Sequence, residues 1–449
     1  MEHISKVISS LSPMKIIFFG YIIIIMIGAL FLFMPVSSNG TETSFSDAFF
    51  TAASATCVTG LIRFDTYTHW SLFGQIVILL LIQTGGIGFM TLAISLMTAA
   101  NRKIGLSSRI IMQNSISAPH LGGIVKMTKF IVFGTIIVEG IGAVLLGLYF
   151  CSRFGFVKGV WYSVFHSVSA FCNAGFDLMG FEGEFSSLTS FAGNFYINMI
   201  IMSLIVIGGL GFFVWKDIIN CKMRFNNFRL HSKLVFVTSA ALIVLGALSL
   251  LMLEYRSNAF SGLNNGEKVL ASFFQSVTSR TAGFNSVDLS GMSEGGIFVM
   301  ICLMLVGGSP GSTAGGIKTT TFAVILLSVF AAARKKKDCQ VFGRRIEEEI
   351  LPAVLCIFIV YLFLSAVSSI IVSHIEGIPM LTAAFECVSA IATVGLSLGL
   401  TPELSFISKM IVAFLMIIGR AGSLTVLMAV ASPKTMINSK LPVEKIQVG

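Results

Sequence analysis

The chain has 449 residues, of which 55% are hydrophobic and only 11% are charged. Soluble domains carry about 25% charged residues, so this composition excludes a soluble globular protein and indicates a chain embedded in lipid. The net charge of +9 would suit a nucleic-acid partner, but the cations lie in short loops between apolar runs, which is typical of membrane topology.

Eight apolar segments are long enough to cross a bilayer, which takes about 20 helical residues. The first segment follows Lys6 and Lys15, is too long for a signal-peptide core and precedes no A-x-A site, so we expect a retained helix. The sixth is too long for one straight span and is glycine-rich in its middle, which predicts a broken helix. The segments are 14–36, 71–97, 127–150, 193–216, 231–254, 295–330, 351–373 and 405–431.

Basic residues concentrate in every second connection, namely 98–126, 217–232 and 331–350, and in the C-terminal tail. The alternate connections are poorer in cations and carry most of the acidic residues. By the positive-inside rule, both termini and the basic loops lie in the cytoplasm of a multi-pass protein of the cell membrane. Nothing else in the sequence supports binding to nucleic acid.

A short apolar piece lies between the two spans of each pair, and it repeats. Every copy reads Phe, nine residues, Gly, then Leu or Phe, with glycines at Gly60, Gly175, Gly283 and Gly395. Short helices capping the outer surface of a bundle would be the alternative explanation. We predict four tandem repeats with one pore loop each: 1–100 with pore loop 47–61, 101–220 with 162–176, 221–335 with 270–284, and 336–449 with 382–396.

This pattern predicts an all-α integral membrane fold, in which four helix–pore loop–helix repeats surround a pseudo-fourfold axis. Eight transmembrane helices would enclose four re-entrant pore helices. About ten helical residues rise roughly 15 Å, half of the hydrocarbon core, so each piece must return as irregular chain. Such chain is tolerated at membrane depth only where it lines a water-filled cavity or is buried in protein.

The returning strands are the predicted ion filter. Glycine permits left-handed dihedrals that turn carbonyls to one side, and rings of carbonyls can replace the water shell of potassium. No acidic ring accompanies them, and one glycine per copy predicts few specialised backbone positions. No cofactor is expected. The filter residues are Thr56, Cys57, Val58, Thr59, Gly60, Phe171, Cys172, Asn173, Ala174, Gly175, Ser279, Arg280, Thr281, Ala282, Gly283, Ala392, Thr393, Val394 and Gly395.

The four filter segments, the SRTAGF of 279–284, the GSPGSTAGGIK of 308–318 and the GRAG of 419–422 resemble the superfamily of Trk, Ktr and HKT potassium transporters. Eight spans make the chain most similar to a Ktr membrane subunit of the KtrB or KtrD type. The resemblance implies potassium uptake down its gradient, often sodium-stimulated, with sodium as a second ion. It implies a homodimer with one pore per subunit. It also implies a cytosolic ring of KtrA- or KtrC-type subunits, through which alone ATP and ADP act. Gly60 matches the potassium-selective pattern.

The segment 307–316 contains five glycines and Pro310. In a helix each glycine costs about 1 kcal/mol and a proline about 3, so the span should break at midmembrane. By resemblance to the family, we expect this segment to form a flexible gate loop beneath the filter, next to Arg420. A static kink is the alternative. The predicted gate consists of Gly307, Gly308, Ser309, Pro310, Gly311, Ser312, Thr313, Ala314, Gly315, Gly316, Lys318 and Arg420.

Several charges lack an obvious partner. Arg420 would face the pore and repel cations, or else snorkel to the surface. Lys318 is a gate element or a cytoplasmic anchor. Arg280 should point behind the filter and pair with a carboxylate, for which Glu386 is a candidate, and Glu139 needs a partner that sequence does not identify.

The remaining motifs are less specific. The basic run 334–337 would anchor to lipid or dock a regulatory partner. The glycine clusters 85–88 and 208–211 predict close helix packing. Ile317 stands where a phosphate-binding loop needs lysine, so nucleotide binding there is rejected.

Two rival functions remain at the level of sequence. A broken-helix secondary symporter for another cation or a small metabolite would also place irregular chain at the midplane, but it should show two equal halves. A membrane-embedded enzyme would need clustered acids, histidines or a nucleophile on facing helices, and the sequence has none. We therefore predict a transport protein and no enzyme.

Overall fold

The computed structural model describes residues 13–40, 42–100, 104–116, 122–222, 224–336 and 338–422. The described chain is mostly helical, and its β-strands form one hairpin of two-residue strands, Gln340–Val341 with Arg344–Arg345. The last residues of the predicted span 405–431, beyond Gly422, lie outside the described residues.

Each repeat begins with a long apolar helix, which we call its outer helix. The outer helices have between 21 and 31 residues, enough to cross a bilayer. In a bilayer the outward faces of these helices would contact lipid and not water. This accounts for exposed apolar side chains such as Val144 and Leu148, which are 67% and 69% exposed. The four outer helices are Pro13–Phe33, Ile124–Phe154, Leu230–Glu254 and Ile350–Glu376.

A short helix follows each outer helix and packs against it. The first begins at the cap residue Ser44, whose hydroxyl accepts the Asp47 amide, and the third begins with a capping box of Asn264 and Glu267. These helices begin between two and six residues before the predicted pore loops. They are Phe45–Cys57, Phe156–Cys172, Asn265–Thr278 and Met380–Ile391.

The second helix of each repeat, which we call its inner helix, packs against the short helix of the next repeat. The fourth inner helix packs against the first short helix, so the contacts close into a ring of four. At this closing seam the buried ammonium of Lys409 pairs with the Asp47 carboxylate. The inner helices are Leu72–Ile87, Phe195–Leu210, Glu294–Leu305 and Phe406–Ala421.

The predicted spans 71–97 and 193–216 are not straight. Their glycine clusters were predicted to allow close helix packing, and the structure shows that each cluster also contains a bend. The chain bends by 91° between Leu72–Ile87 and the helix that follows, and by 92° after Phe195–Leu210. Gly88 and Gly211 make these bends with φ of +86° and +94°, which a side chain would oppose. The helices beyond the bends are Phe89–Ala99 and Phe212–Asn220, and a further helix, Leu106–Ser115, precedes the second outer helix.

The predicted span 295–330 is broken in the structure. Its helix ends at Leu305, an irregular loop follows, and a new helix covers Thr319–Ala333. The glycines and the proline that made a continuous helix costly all lie in this loop.

Candidate functional site

The four repeat glycines meet in a closed ring just beyond the carboxyl ends of the short helices. We call the predicted filter segments 56–60, 171–175, 279–283 and 392–395 the filter strands, although the first two residues of 56–60 and 171–175 still belong to a short helix. Each has a positive φ, between +71° and +96°. A Cβ atom added to any of them would lie within 2.8 Å of a carbonyl oxygen of the next strand, so a side chain cannot be accommodated without movement. The contacts run around the ring in chain order: Gly60 to Ala174, Gly175 to Ala282, Gly283 to Val394, and Gly395 to Thr59.

Each strand has a second residue with positive φ, two positions before the glycine, and this corrects the expectation of few specialised positions. Asn tolerates this region, but Val and Thr are β-branched and adopt it at a cost of about 1–3 kcal/mol. The surrounding ring therefore imposes the conformation. These residues are Val58 with φ +56°, Asn173 with +60°, Thr281 with +72° and Thr393 with +53°.

Hydroxyl groups on the short helices hold the strands from behind. The amides of Gly60 and Gly395 donate to the Ser54 and Ser389 hydroxyls, each at 3.1 Å. In the second and third repeats the direction reverses, because Ser169 and Thr278 donate to carbonyls just beyond the glycine, at 2.6 and 2.7 Å. Neutral hydroxyl groups, and not charged side chains, thus hold the backbone amides and carbonyls of the strands in these contacts.

The carboxyl ends of the short helices point at the ring. Inner-helix glycines let them approach closely: a Cβ at Gly85, Gly208 or Gly419 would lie 1.9 to 2.0 Å from a carbonyl oxygen of the adjacent short helix. Helix C-termini carry partial negative charge. Four of them around one point create a field that favours a cation.

The loop that interrupts the third inner helix lies directly against the filter strands. Its two ends are joined at a neck, where the Gly307 amide donates to the Ile317 carbonyl at 2.9 Å. Its tip reaches the last turn of the second short helix, where the second filter strand starts, because the Thr313 hydroxyl donates to the Phe171 carbonyl at 3.0 Å. A Cβ at Gly315 would lie 2.0 Å from the Thr393 hydroxyl oxygen of the fourth strand. The loop therefore occupies the region below the ring.

Arg420 ties this loop to the rest of the bundle. Its guanidinium donates to the Thr313 carbonyl in the loop and to the carbonyls of Gly85 and Gly86, the latter at 3.1 Å. Lys318 donates to the Ala314 carbonyl at 2.7 Å, and so braces the loop from within. Because all these acceptors are backbone carbonyls, neither cation is neutralised by a carboxylate in these contacts.

A cavity of about 500 Å³ opens below the loop. Gly86, Ser312, Lys318, Tyr361 and Arg420 are among the residues that line it. A cation moving between the ring and this cavity would pass the loop and both positive charges.

The predicted pairing of Arg280 with Glu386 is wrong. Arg280 is buried, and its guanidinium donates to the Gly307 carbonyl and to Ser239. Glu386 instead accepts from Ser397, Thr401 and the Leu398 amide. The partners of Arg280 are mainly backbone atoms, for which sequence carries no signal.

Glu139 lies beside the second filter strand, and its partner was missed by sequence. The Gln83 amide donates to its carboxylate at 3.0 Å, and the Cys172 thiol contacts it at 3.7 Å. Within the predicted gate, Ser309 contacts Thr319 at 3.0 Å, whereas the buried Ser312 hydroxyl has no hydrogen-bond partner among the described residues. Thr313 alone of the predicted hydroxyls reaches the filter.

Two carboxyls lie near the far side of the ring. Asp177 stands two residues beyond Gly175, and Asp65 accepts the Tyr67, Thr68 and Phe185 amides. Desolvation of the half-buried carboxyl, together with the charge of Asp65, raises the pKa of Asp177 to about 7. Its charge therefore changes near neutral pH.

Comparison with known proteins identifies relatives over nearly the whole chain. The model of a family described as TrkH, cation transport protein, matches residues 19–440. The chain is 40% identical to the potassium/sodium uptake protein NtpJ of Enterococcus hirae, over 99% of both chains. It is also 40% identical to the Ktr system potassium uptake protein B of Bacillus subtilis, over 92% of both.

The fold also resembles that of a solved structure. The potassium transporter TrkH from Vibrio parahaemolyticus superposes with a TM-score of 0.73, covering 94% of this chain and 86% of that one, at 18% identity.

Proposed function

Because this chain belongs to the family of TrkH cation transport proteins, as a multi-pass membrane protein and not an enzyme, we propose that it takes up potassium through the ring of four glycines. The observation that carries the proposal is the closed contact of four strands, each with two positive φ values. Alternating dihedrals of this kind turn successive carbonyls toward one axis. Carbonyl rings can replace the hydration shell of a potassium ion.

The electrostatics of the ring support a monovalent cation. The strands present no acidic side chain at the predicted filter positions, so the attraction comes from carbonyl dipoles and from helix C-termini. Such a field is weak enough for the ion to leave again, as conduction requires. Names of two relatives include potassium, and one includes sodium; we propose potassium as the main ion and sodium as a second or stimulating one.

The loop from Gly307 to Gly316 acts as the gate in this proposal. It contacts the second and fourth filter strands and is fastened by Arg420 to the first inner helix. In this position it separates the ring from the cavity below. Conduction requires the loop to move, and each contact that breaks on movement adds to the free energy needed to open the gate.

Regulation and assembly are proposed from the relatives named as components of a Ktr system. We propose a homodimer in the cell membrane, with both termini in the cytoplasm, and a cytosolic ring of nucleotide-binding KtrA- or KtrC-type subunits. The exposed cations Arg334, Lys335 and Lys336 directly follow the helix Thr319–Ala333, which comes after the gate loop. A partner bound there could move the loop through that helix.

Rubidium uptake into proteoliposomes tests the proposal, with and without the regulatory ring and nucleotide. We expect an outward potassium gradient to drive rubidium uptake. External potassium should inhibit this uptake more strongly than sodium does. The variant Gly283→Ala should lose at least about tenfold in uptake rate, because strain of 1–3 kcal/mol adds to a collision with the Val394 carbonyl. No uptake by the unsubstituted protein with partner and nucleotide present would refute the proposed function.

The chain offers a matched control for this variant. Gly262 has φ of +80°, nearly equal to the +81° of Gly283, but no atom lies within 4 Å of a Cβ added there. Gly262→Ala therefore imposes the same backbone strain away from the ring. Equal loss of uptake in both variants would mean that strain alone, and not the ring, explains the effect.

A further inference from the structure

Arg280 occupies a position that small residues occupy in the other repeats. It lies three residues before the ring glycine, where the other strands have Cys57, Cys172 and Ala392. Its side chain is only 9% exposed, and its Nε has no hydrogen-bond partner among the described residues. A long buried cation at this one place needs a reason, because burying a charge is costly.

The guanidinium joins three elements. Nη2 donates to the Gly307 carbonyl at 3.1 Å and to the Ser239 hydroxyl of the outer helix at 3.3 Å, and Nη1 donates to the Ser239 carbonyl at 3.4 Å. The adjoining cavity, of about 20 Å³, has room for one water molecule but not for a second side chain. Among the residues that the structure describes, the acceptors for this charge are carbonyl and hydroxyl oxygens and not carboxylates.

Gly307 is the neck residue of the gate loop. Its amide bonds to Ile317 at the other end of the loop. A Cβ added to Gly307 would lie 2.9 Å from the Thr281 methyl group of the third filter strand. The side chain of Arg280 and the methyl of Thr281, neighbours on that strand, therefore both contact the residue at which the loop begins.

We propose that Arg280 is a positioning residue that couples the gate loop to the third filter strand, so that movement of the loop changes ion preference as well as rate. The proposal rests on the proposed function. In the other repeats an inner-helix glycine packs on the short helix at this level. In the third repeat the inner helix has already ended, at Leu305, before it reaches this level. There the hydrogen bonds of Arg280 take the place of helix packing, and movement of the loop can break them.

A double-mutant cycle tests this coupling in the full-length protein with its regulatory partner. Rubidium uptake and its inhibition by sodium are measured with an intact loop and with residues 310–314 deleted, each with Arg280 or with Arg280→Met. With Arg280 present, the deletion should shift the sodium inhibition constant by about tenfold. With Arg280→Met, the deletion should still raise the rate but shift the inhibition constant by less than about twofold.

Two further variants separate coupling from a structural role. Arg280→Lys keeps one donor and should retain part of the shift, and it replaces Arg280→Met if that variant fails to fold. Ser239→Ala removes only the contact of the guanidinium with the Ser239 hydroxyl, keeps its contacts with the Ser239 and Gly307 carbonyls, and should leave the shift unchanged. An equal shift with and without Arg280, or loss of the shift in Ser239→Ala, would overturn the inference. Absence of uptake in the unsubstituted protein would instead refute the proposed function.

Discussion

The ring of glycines and the level directly below it are built in opposite ways. At the ring, all four strands have a glycine with positive φ and a second positive φ two residues earlier. Below it, the first two inner helices bend at Gly88 and Gly211, the third opens into a loop, and the fourth contributes Arg420. Equivalent strands suit an ion that must meet the same carbonyls on every side, whereas a gate needs one element that can move alone.

The loop belongs to the third repeat, but the side-chain contacts that fasten it involve the other three repeats. The loop tip bonds to the second strand through Thr313, and Arg420 of the fourth repeat reaches the first inner helix. A loop held by three other repeats can respond to any of them. The following substitutions test whether ring and gate are separable in this way.

The largest effect is expected at the ring. Gly395→Ala places a methyl group 2.0 Å from the Thr59 carbonyl, and misplacement of about 1 Å at a reacting or binding centre costs on the order of a hundredfold in rate. Gly399 shares the φ of +91° but has no atom within 4 Å of an added Cβ. Gly399→Ala should therefore preserve rubidium uptake. Similar uptake in both variants would show that the ring is not the narrow point.

Release of the gate should act in the opposite direction. Arg420→Gln removes charged hydrogen bonds to three carbonyls, and each such bond contributes about 1.5–3 kcal/mol. Uptake without the activating nucleotide should rise by about tenfold, because the loop is less firmly held and a positive charge is gone from the path. Arg153→Gln, which breaks the half-exposed pair with Glu182 at 2.7 Å, is the control. A fall in uptake for Arg420→Gln alone would contradict the gate.

A smaller release is expected from the loop tip. Thr313→Val keeps the shape of the side chain but removes its bond to the Phe171 carbonyl, and a neutral hydrogen bond contributes about 1 kcal/mol, or roughly fivefold. Ser312→Ala, at the neighbouring position, removes a hydroxyl that has no hydrogen-bond partner within the described part of the chain. Nucleotide-free uptake should rise in the first variant only, and an equal rise in both would assign the effect to general loosening of the loop.

The smallest effect is expected at the mouth of the ring. The pKa of Asp177 is about 7, so its carboxyl gains negative charge as the pH rises from 6 to 8. Local cation concentration, and with it the rubidium uptake rate at low salt, should rise by about twofold. Asp177→Asn should abolish this pH dependence, whereas Glu184→Gln, an exposed acid in the same connection, should keep it. Salt should weaken the effect, since screening shortens the reach of the charge.

Much of the architecture can be predicted directly from the sequence. Long apolar segments identify the outer helices because the bilayer sets their length. The repeated glycine identifies the ring because a missing side chain is visible in sequence, and the glycines and Pro310 identify the break in the third inner helix. In each case the cause is a property of the residue itself.

The interactions that control the site depend on tertiary structure. Arg280 and Arg420 bond to carbonyls of Gly307, Gly85 and Gly86, and every residue has such a carbonyl, so no sequence pattern distinguishes these acceptors. Val58, Thr281 and Thr393 adopt a conformation that their own side chains disfavour. Only the packing of four strands around one axis makes that conformation the stable one. The sequence alone therefore predicts the positions of the ring glycines, while the tertiary structure decides the geometry of the ring.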